Sequence, residues 1–373
     1  MLLEQIPAET ILFFILYGIT GVVPLMAALY LLLRRGNAIA PGVTPPLRLR
    51  RWTAVFFAVV TLAHVWWLLF YILSGDLNSV AYLVLAMGDC VLLFATFAGM
   101  LLAMLQDRCR PVWPALVAVI PFVVLAVVFI VSPSSLLEQF AAGYLVLLGL
   151  LFTGHMVFAI RQYGRWLNDN YADLENKKVW LSQTVSLVCM LLFVLYVLAT
   201  NMVFIWFIHV FELVLVVLLL WRVETLPLLA EKNVLEQTDT SFEPETSNSH
   251  PSPLISIIDL AQIERLLEEH CVATQLYLQH DLSLQQLART IGTNRSYLSQ
   301  YFSRQGTTYN DYISDLRIKH FTKLYRKTSA EGLSVTAQQL ASDSGYRSYT
   351  TFSLAFKKRM GQSVSSWMRD TTE

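Results

Sequence analysis

Charge is scarce in this chain and unevenly spread. Asp, Glu, Lys and Arg make up 14% of its 373 residues, against about 25% in an ordinary soluble domain. Nearly all of the compensating apolar excess lies before Arg222. Cysteine is sparse too: Cys90, Cys109, Cys189 and Cys271 show no paired spacing, so neither a disulfide framework nor a zinc motif is indicated. The first ten residues carry Glu4 and Glu9 but no Lys or Arg, so the first apolar run is not expected to be a cleaved secretory signal. The sequence has no phosphate-cradling glycine loop, kinase ATP-site pattern or nucleophile elbow. It also lacks paired cytoplasmic carboxylates and a phospho-acceptor receiver. No enzymatic activity and no cofactor are expected.

What is present before Arg222 is apolar length. Seven runs, Ile11–Leu33, Trp52–Leu73, Val80–Leu105, Val112–Val131, Leu136–Ile160, Val179–Thr200 and Met202–Trp221, can each cross a hydrocarbon core of about 30 Å, which needs roughly 20 helical residues. The sixth and seventh meet at a tight hinge, Thr200-Asn201, and read as a helical hairpin. Arg34, Arg35, Arg48, Arg50 and Arg51 follow the first run, Arg108 and Arg110 the third, Arg161, Arg165, Lys177 and Lys178 the fifth, and Arg222 the seventh. The alternate loops, near Asp76, Glu138 and Asn201, hold no Lys or Arg. Positive residues gather on the cytoplasmic side, which predicts an outside N-terminus and a cytoplasmic C-terminus, with the lipid bilayer as a partner.

Ionisable residues inside such runs are costly and mark functional positions by default. The clearest are His64, Asp89, His155, His209 and Glu212. His209 and Glu212 are three apart and share a helical face. A pocket of His64, Asp89, His209 and Glu212 would take a polar or cationic ligand, a proton or a metal, as a small ligand or membrane signal. The alternative is that these groups pair with one another or with Trp66, Gln183 or Asn201 and hold the bundle together. No tight ligand spacing supports a metal, and none is expected.

After Arg222 the composition changes. Residues 223–253 hold six acidic residues and one Lys around a Thr/Ser/Pro/Asn-rich middle, too polar to bury a core, and read as a flexible acidic linker. Residues 254–278 follow with Ile257, Leu260, Ile263, Leu267 and Cys271 in helical register. Then come two helix-turn-helix units. In the first, from Ser283 to Phe302, Ala288 is the small residue at the helix crossing and Gly292 supplies the positive φ of the turn. Leu284, Leu287, Ile291, Leu298 and Phe302 seal the pair, leaving Asn294, Arg295, Ser296, Ser299 and Gln300 facing outward. The second repeats the spacing with Ala341 and Gly345, sealed by Leu340, Tyr346, Phe352 and Phe356, and turns Ser348, Tyr349, Thr350 and Ser353 outward. Tyr309, Tyr312, Ile313, Leu316, Phe321 and Leu324 mark a long amphipathic helix between them.

On these residues the C-terminal third resembles the AraC-type DNA-binding domain. Carrying the likeness are Leu316–Leu324, Ser334–Ala341, Ser344-Gly-Tyr346 and Phe352–Gly361, within roughly Ile257–Met368. Leu354 stands where that family usually has a basic residue, Val364 where it often has proline, and Arg347 where it has a small helix cap, leaving Ser348 to cap. The resemblance implies two recognition helices in successive major-groove segments of double-stranded DNA. Arg295, Ser296, Ser299 and Gln300 would read bases in the first unit, and Ser348, Tyr349, Thr350 and Ser353 in the second. Arg304, Lys357, Lys358 and Arg359 would hold phosphates. Leu282–Arg369 contains 13 Lys/Arg and four Asp/Glu, the electrostatic footprint of nucleic-acid binding.

The expected fold is therefore all-α: a seven-helix transmembrane bundle over residues 1–222, the linker, and a double helix-turn-helix domain over 254–373. The expected function is that of a one-component transcription regulator in a bacterial cytoplasmic membrane, with a second copy of the chain among its expected partners. Two rivals differ in class. A transporter or channel reporting flux through its DNA-binding domain would need more charged residues in the spans and a visible internal repeat. A protein-interaction module would not need the basic, polar outward faces.

Overall fold

A computed structural model describes residues 7–34, 36–73, 76, 80–132, 134–174, 177–198, 202–229, 256–332 and 335–372. The fold is all-α, with no strand among the described residues. The chain divides into two compact units, residues 1–163 with 179–240, and residues 164–178 with 241–373.

The first unit is built from α1 (Ala8–Leu33), α2 (Leu47–Leu73), α3 (Val80–Ala103), α4 (Trp113–Val131), most of α5 (Ser135–Asn170), α6 (Trp180–Leu198) and α7 (Met202–Thr225). Neighbours in sequence pack together from α1 to α4 and again at α6 and α7, and α7 also packs on α1 and α2. The outward faces are apolar: on α4 alone, Leu116, Val117, Ile120, Val123, Val124 and Val127 are exposed. A soluble surface cannot sustain an apolar belt of that extent; a helix facing lipid requires it. Six helices, α1 to α5 and α7, are long and apolar enough to cross a membrane. The seventh expected span is helical over Trp180–Leu198, but much of its side-chain complement and the Thr200-Asn201 hinge lie outside the described residues, and it is not counted among the six. Helix α5 runs ten residues past the expected end at Ile160, because Arg161–Asn170 is polar yet contains good helix formers.

The expected linker, 223–253, falls almost wholly outside the described residues. Its first residues extend α7 to Thr225, where Glu224 accepts hydrogen bonds from Tyr30 Oη (3.0 Å) and the Ala38 amide (2.7 Å).

The second unit contains α8 (Ser256–Leu267), α9 (Leu284–Thr290), α10 (Arg295–Arg304), α11 (Tyr309–Ala330), α12 (Ala337–Asp343), α13 (Tyr349–Met360) and α14 (Val364–Thr372). It has two cores. Leu267, Cys271, Leu284, Leu287, Ala288, Leu298, Phe302 and Ile313 close the first. Ile318, Phe321, Leu340, Ala341, Phe352, Phe356 and Trp367 close the second. The long helix α11 contributes to both, as its amphipathic pattern predicts. Arg317, only 1% exposed, lies between them: Nε donates to the Tyr277 carbonyl at 2.7 Å, Nη2 to that of Gln279 at 2.5 Å, and the guanidinium stacks 5.5 Å from the Tyr346 ring centroid.

Candidate nucleic-acid interface

Each helix-turn-helix begins at a cap and turns at a glycine. In the first, Ser283 and Gln286 form a reciprocal capping box that fixes the start of α9. Gly292 turns the chain at φ +70°, and Asn294 caps α10, its side chain accepting from the Ser296 amide at 2.6 Å. In the second, Thr336 caps α12, Gly345 turns at φ +87°, and Ser348 caps α13 by accepting from the Thr351 amide. Gly345 has a second constraint, because a Cβ there would lie 2.7 Å from the Leu278 carbonyl oxygen. The two turns thus have the backbone conformation that the Ala–Gly spacing predicts.

The caps change the chemistry available at two expected contact positions. Asn294 and Ser348 use their side-chain oxygens to satisfy helix amides. On α10, Ser296, Gln300 and Arg304 are exposed and Ser299 is half-buried. Tyr297, not among the expected contacts, is 56% exposed on the same helix. On α13, Thr350 and Lys357 are exposed and Ser353 is half-buried. Tyr349 instead packs against the second core, its ring 5.9 Å from that of Phe352. Leu354 is 68% exposed, where the resemblance leads one to expect a basic side chain.

Two expected phosphate-binding cations, Lys358 and Arg359, carry a carboxylate partner, and so does Arg347, another expected DNA contact. Lys358 Nζ lies 2.6 Å from Asp311, Arg359 Nη2 is 2.8 Å from Asp315 and Arg347 Nη2 is 3.0 Å from Asp281. Burial holds Asp315 above the usual carboxylate range, with Arg359 pulling it down. Ion pairs this exposed contribute about 0–1 kcal/mol, so phosphate oxygens can replace their carboxylates at little cost.

Sequence reasoning missed the segment 164–178, which folds with this unit. Tyr171 forms an isolated antiparallel bridge with Ser283, and the Ala172 amide donates to the Leu282 carbonyl at 3.2 Å. Asn310 Nδ2 donates to the carbonyls of Tyr171 (3.1 Å) and Ala172 (2.7 Å). Ala172 is buried in the first core. Lys177 reaches Asp281 at 3.5 Å, so that carboxylate lies between Lys177 and Arg347. Most consequential, Arg295 Nε donates to Asn170 Oδ1 at 2.8 Å, and the first residue of the first recognition helix is thereby half-buried. No periodicity marks this segment, and no signal short of coordinates assigns it to the C-terminal unit.

Of the four expected polar residues in the first unit, three come together. His64, His209 and Glu212 place one ligand atom each within 4.8 Å of one another. Asp89 instead accepts a hydrogen bond from Trp67 Nε1 at 2.6 Å. Gln183 donates to the Leu101 carbonyl rather than to this group.

Two helix-turn-helix units sharing one long helix, on a basic and polar face, define a DNA-binding domain. Residues 287–370 match the helix-turn-helix domain family, and this C-terminal domain is of the AraC type. No curated protein and no solved structure matches the chain.

Proposed function

We propose that the chain is a one-component transcription regulator of a bacterial cytoplasmic membrane. The apolar helices take up a small ligand or membrane signal, and the cytoplasmic double helix-turn-helix binds double-stranded DNA by sequence. Arg295, Ser296, Ser299 and Gln300 read the first half of the site, and Thr350, Ser353 and Leu354 the second, where an exposed leucine suits a thymine methyl. Arg304, Arg347, Lys357, Lys358 and Arg359 hold phosphates. The N-terminus is outside, as the loop charges require, and two copies on adjacent sites gain affinity from effective concentration.

The observation that carries the regulatory half of this reading is the Arg295–Asn170 hydrogen bond. Arg295 is the residue best suited to bidentate guanine readout, and in this state a side chain from 164–178 holds it. That segment joins α5 to α6 in the chain, so a signal acting on either helix reaches it covalently. Residues 164–178 therefore act as a latch that is closed on the first recognition helix and opens when DNA is bound.

The test is a DNA selection with the full-length protein in nanodiscs, wild type beside Asn170→Ala. Both should recover one bipartite motif with halves about one helical turn, roughly 10 bp, apart, and the variant should do so at lower protein concentration. Binding without sequence preference in both would overturn the DNA-reading half; equal performance of the two would overturn the latch.

A further inference from the structure

We propose that His64, His209 and Glu212 form a site for a divalent transition-metal ion of the zinc class, between α1, α2 and α7. Spacing in sequence could not show it, because His64 lies 145 positions from its nearest partner; only the packing of α2 on α7 unites the three.

The hydrogen bonding turns ligand atoms of the three side chains toward one another. His64 Nδ1 sits 2.9 Å from the Val60 carbonyl, an acceptor, so Nδ1 carries the hydrogen and Nε2 presents its lone pair. An outer hydrogen bond of this kind orients metal-binding imidazoles. Facing Nε2 are Glu212 Oε2 at 3.6 Å and Thr20 Oγ1 at 3.0 Å. The single Thr20 hydrogen has its own acceptors within α1, the carbonyls of Tyr17 at 2.9 Å and Leu16 at 3.1 Å. His209 Nδ1 lies 3.6 Å from the same Glu212 oxygen and 3.5 Å from Thr20 Oγ1. The His64 Nε2 lone pair, a Glu212 carboxylate oxygen and the Thr20 hydroxyl oxygen thus face one another beside His209 Nδ1. The other carboxylate oxygen of Glu212 is buried with no hydrogen-bond partner among the described residues.

Ligands about 2.0–2.1 Å from a tetrahedral zinc lie about 3.3–3.4 Å from one another. Both Glu212–imidazole separations, 3.6 Å each, need to close by a few tenths of an ångström, and the two imidazole nitrogens, within 4.8 Å of each other, close on the ion by rotation of their side chains. Two imidazoles with one carboxylate suit zinc, copper, nickel or iron and not magnesium or calcium, which take oxygen ligands. The walls are aromatic: Tyr17 lies 4.9 Å from the His64 ring and 5.5 Å from His209, and Phe13 lies 5.7 Å from His209, all between centroids. Gly21 permits the close approach of α1 here, since a Cβ at that position would sit 3.3 Å from His64 Cβ. An ion so placed joins α2 to α7 beside Thr20 of α1, and its arrival or loss would change how α7 packs on α1 and α2.

The experiment uses full-length protein in detergent, stripped by a chelator and titrated with Co²⁺ as a spectroscopic probe. The wild type should develop visible d–d absorption typical of four-coordination, saturating at about one equivalent per chain and displaced by Zn²⁺. His209→Cys should keep the binding and add a thiolate-to-cobalt charge-transfer band, while Glu212→Gln should weaken binding by about tenfold or more. Because the wild-type spectrum needs no variant to fold, its absence alone overturns the proposal. So does a wild-type spectrum that both substitutions leave unchanged, which would put the ion elsewhere. A cluster that responds to pH with no Co²⁺ bound would overturn it in favour of a shared proton.

Discussion

Removing one amide side chain should turn DNA binding on. In Asn170→Ala the Arg295 guanidinium loses its partner at 2.8 Å while every residue expected to touch DNA is kept. A hydrogen bond to a charged group contributes about 1.5–3 kcal/mol when buried. This one is part-buried, with Asn170 buried and Arg295 partly open to solvent, so about 1–1.4 kcal/mol is taken as its share. Apparent affinity scales with the fraction of molecules whose reading surface is free, so if the latch is closed in most molecules, that energy raises affinity about five- to tenfold. Asn310→Ala removes two further bonds, to the carbonyls of Tyr171 and Ala172, each worth about 1 kcal/mol, and should act in the same direction. Lys177→Ala removes a buried hydrogen bond to the Asp173 carbonyl at 2.8 Å as well as the ion pair with exposed Asp281, and should loosen the segment in the same direction. Asn170→Asp reverses the sign: it places a carboxylate against the Arg295 guanidinium and turns the hydrogen bond into an ion pair of opposite charges, and affinity should fall. The assay is fluorescence anisotropy on a selected operator at one fixed salt concentration, since phosphate contacts make every affinity salt-dependent. Hydrogen exchange of residues 171–174 should also rise when DNA is added. If Asn170→Ala and Asn310→Ala bind no more tightly than wild type, with unchanged salt dependence, the segment is a structural brace and the latch is wrong.

Three further outcomes follow from the second unit. In the Asn170→Ala background, Arg295→Ala should cost about 1–3 kcal/mol and relax preference at one base position; a uniform loss over all sequences would make Arg295 a phosphate contact. Leu354→Arg should raise affinity and steepen the dependence of log K on log salt by about one unit, because the position is 68% exposed on α13; an unchanged slope would place Leu354 away from DNA. Gly345→Ala meets both a positive φ and the Leu278 carbonyl oxygen at 2.7 Å, and should destabilise the unit by about 2–4 kcal/mol. That would appear as faster hydrogen exchange throughout α12 and α13, and native-like protection there would refute the steric argument.

The helix-turn-helix pair was legible because its determinants are local. Ala288 with Gly292, and Ala341 with Gly345, fix crossing and turn within five residues, and all nine residues assigned to seal the two pairs are buried. Even a departure from the family pattern reads physically. Val364 opens α14 with its side chain in the second core, and a proline there would satisfy the first helical position equally well. Hydropathy located the apolar runs but not the end of α5, since it registers apolar length and Arg161–Asn170 is helical without being apolar. The ionisable cluster was legible in part, because charge within an apolar run is costly and singled out His64, Asp89, His209 and Glu212; the fold unites three of them and gives Asp89 to Trp67 instead. What stayed hidden depends on convergence across a long separation. Asn170 and Arg295 are 125 residues apart, and their pairing leaves no periodicity or spacing in the chain. Both are polar, and a polar residue outside the apolar runs does not announce its partner as an apolar stripe announces a core. The amide that holds a recognition arginine is therefore disclosed only by the folded chain.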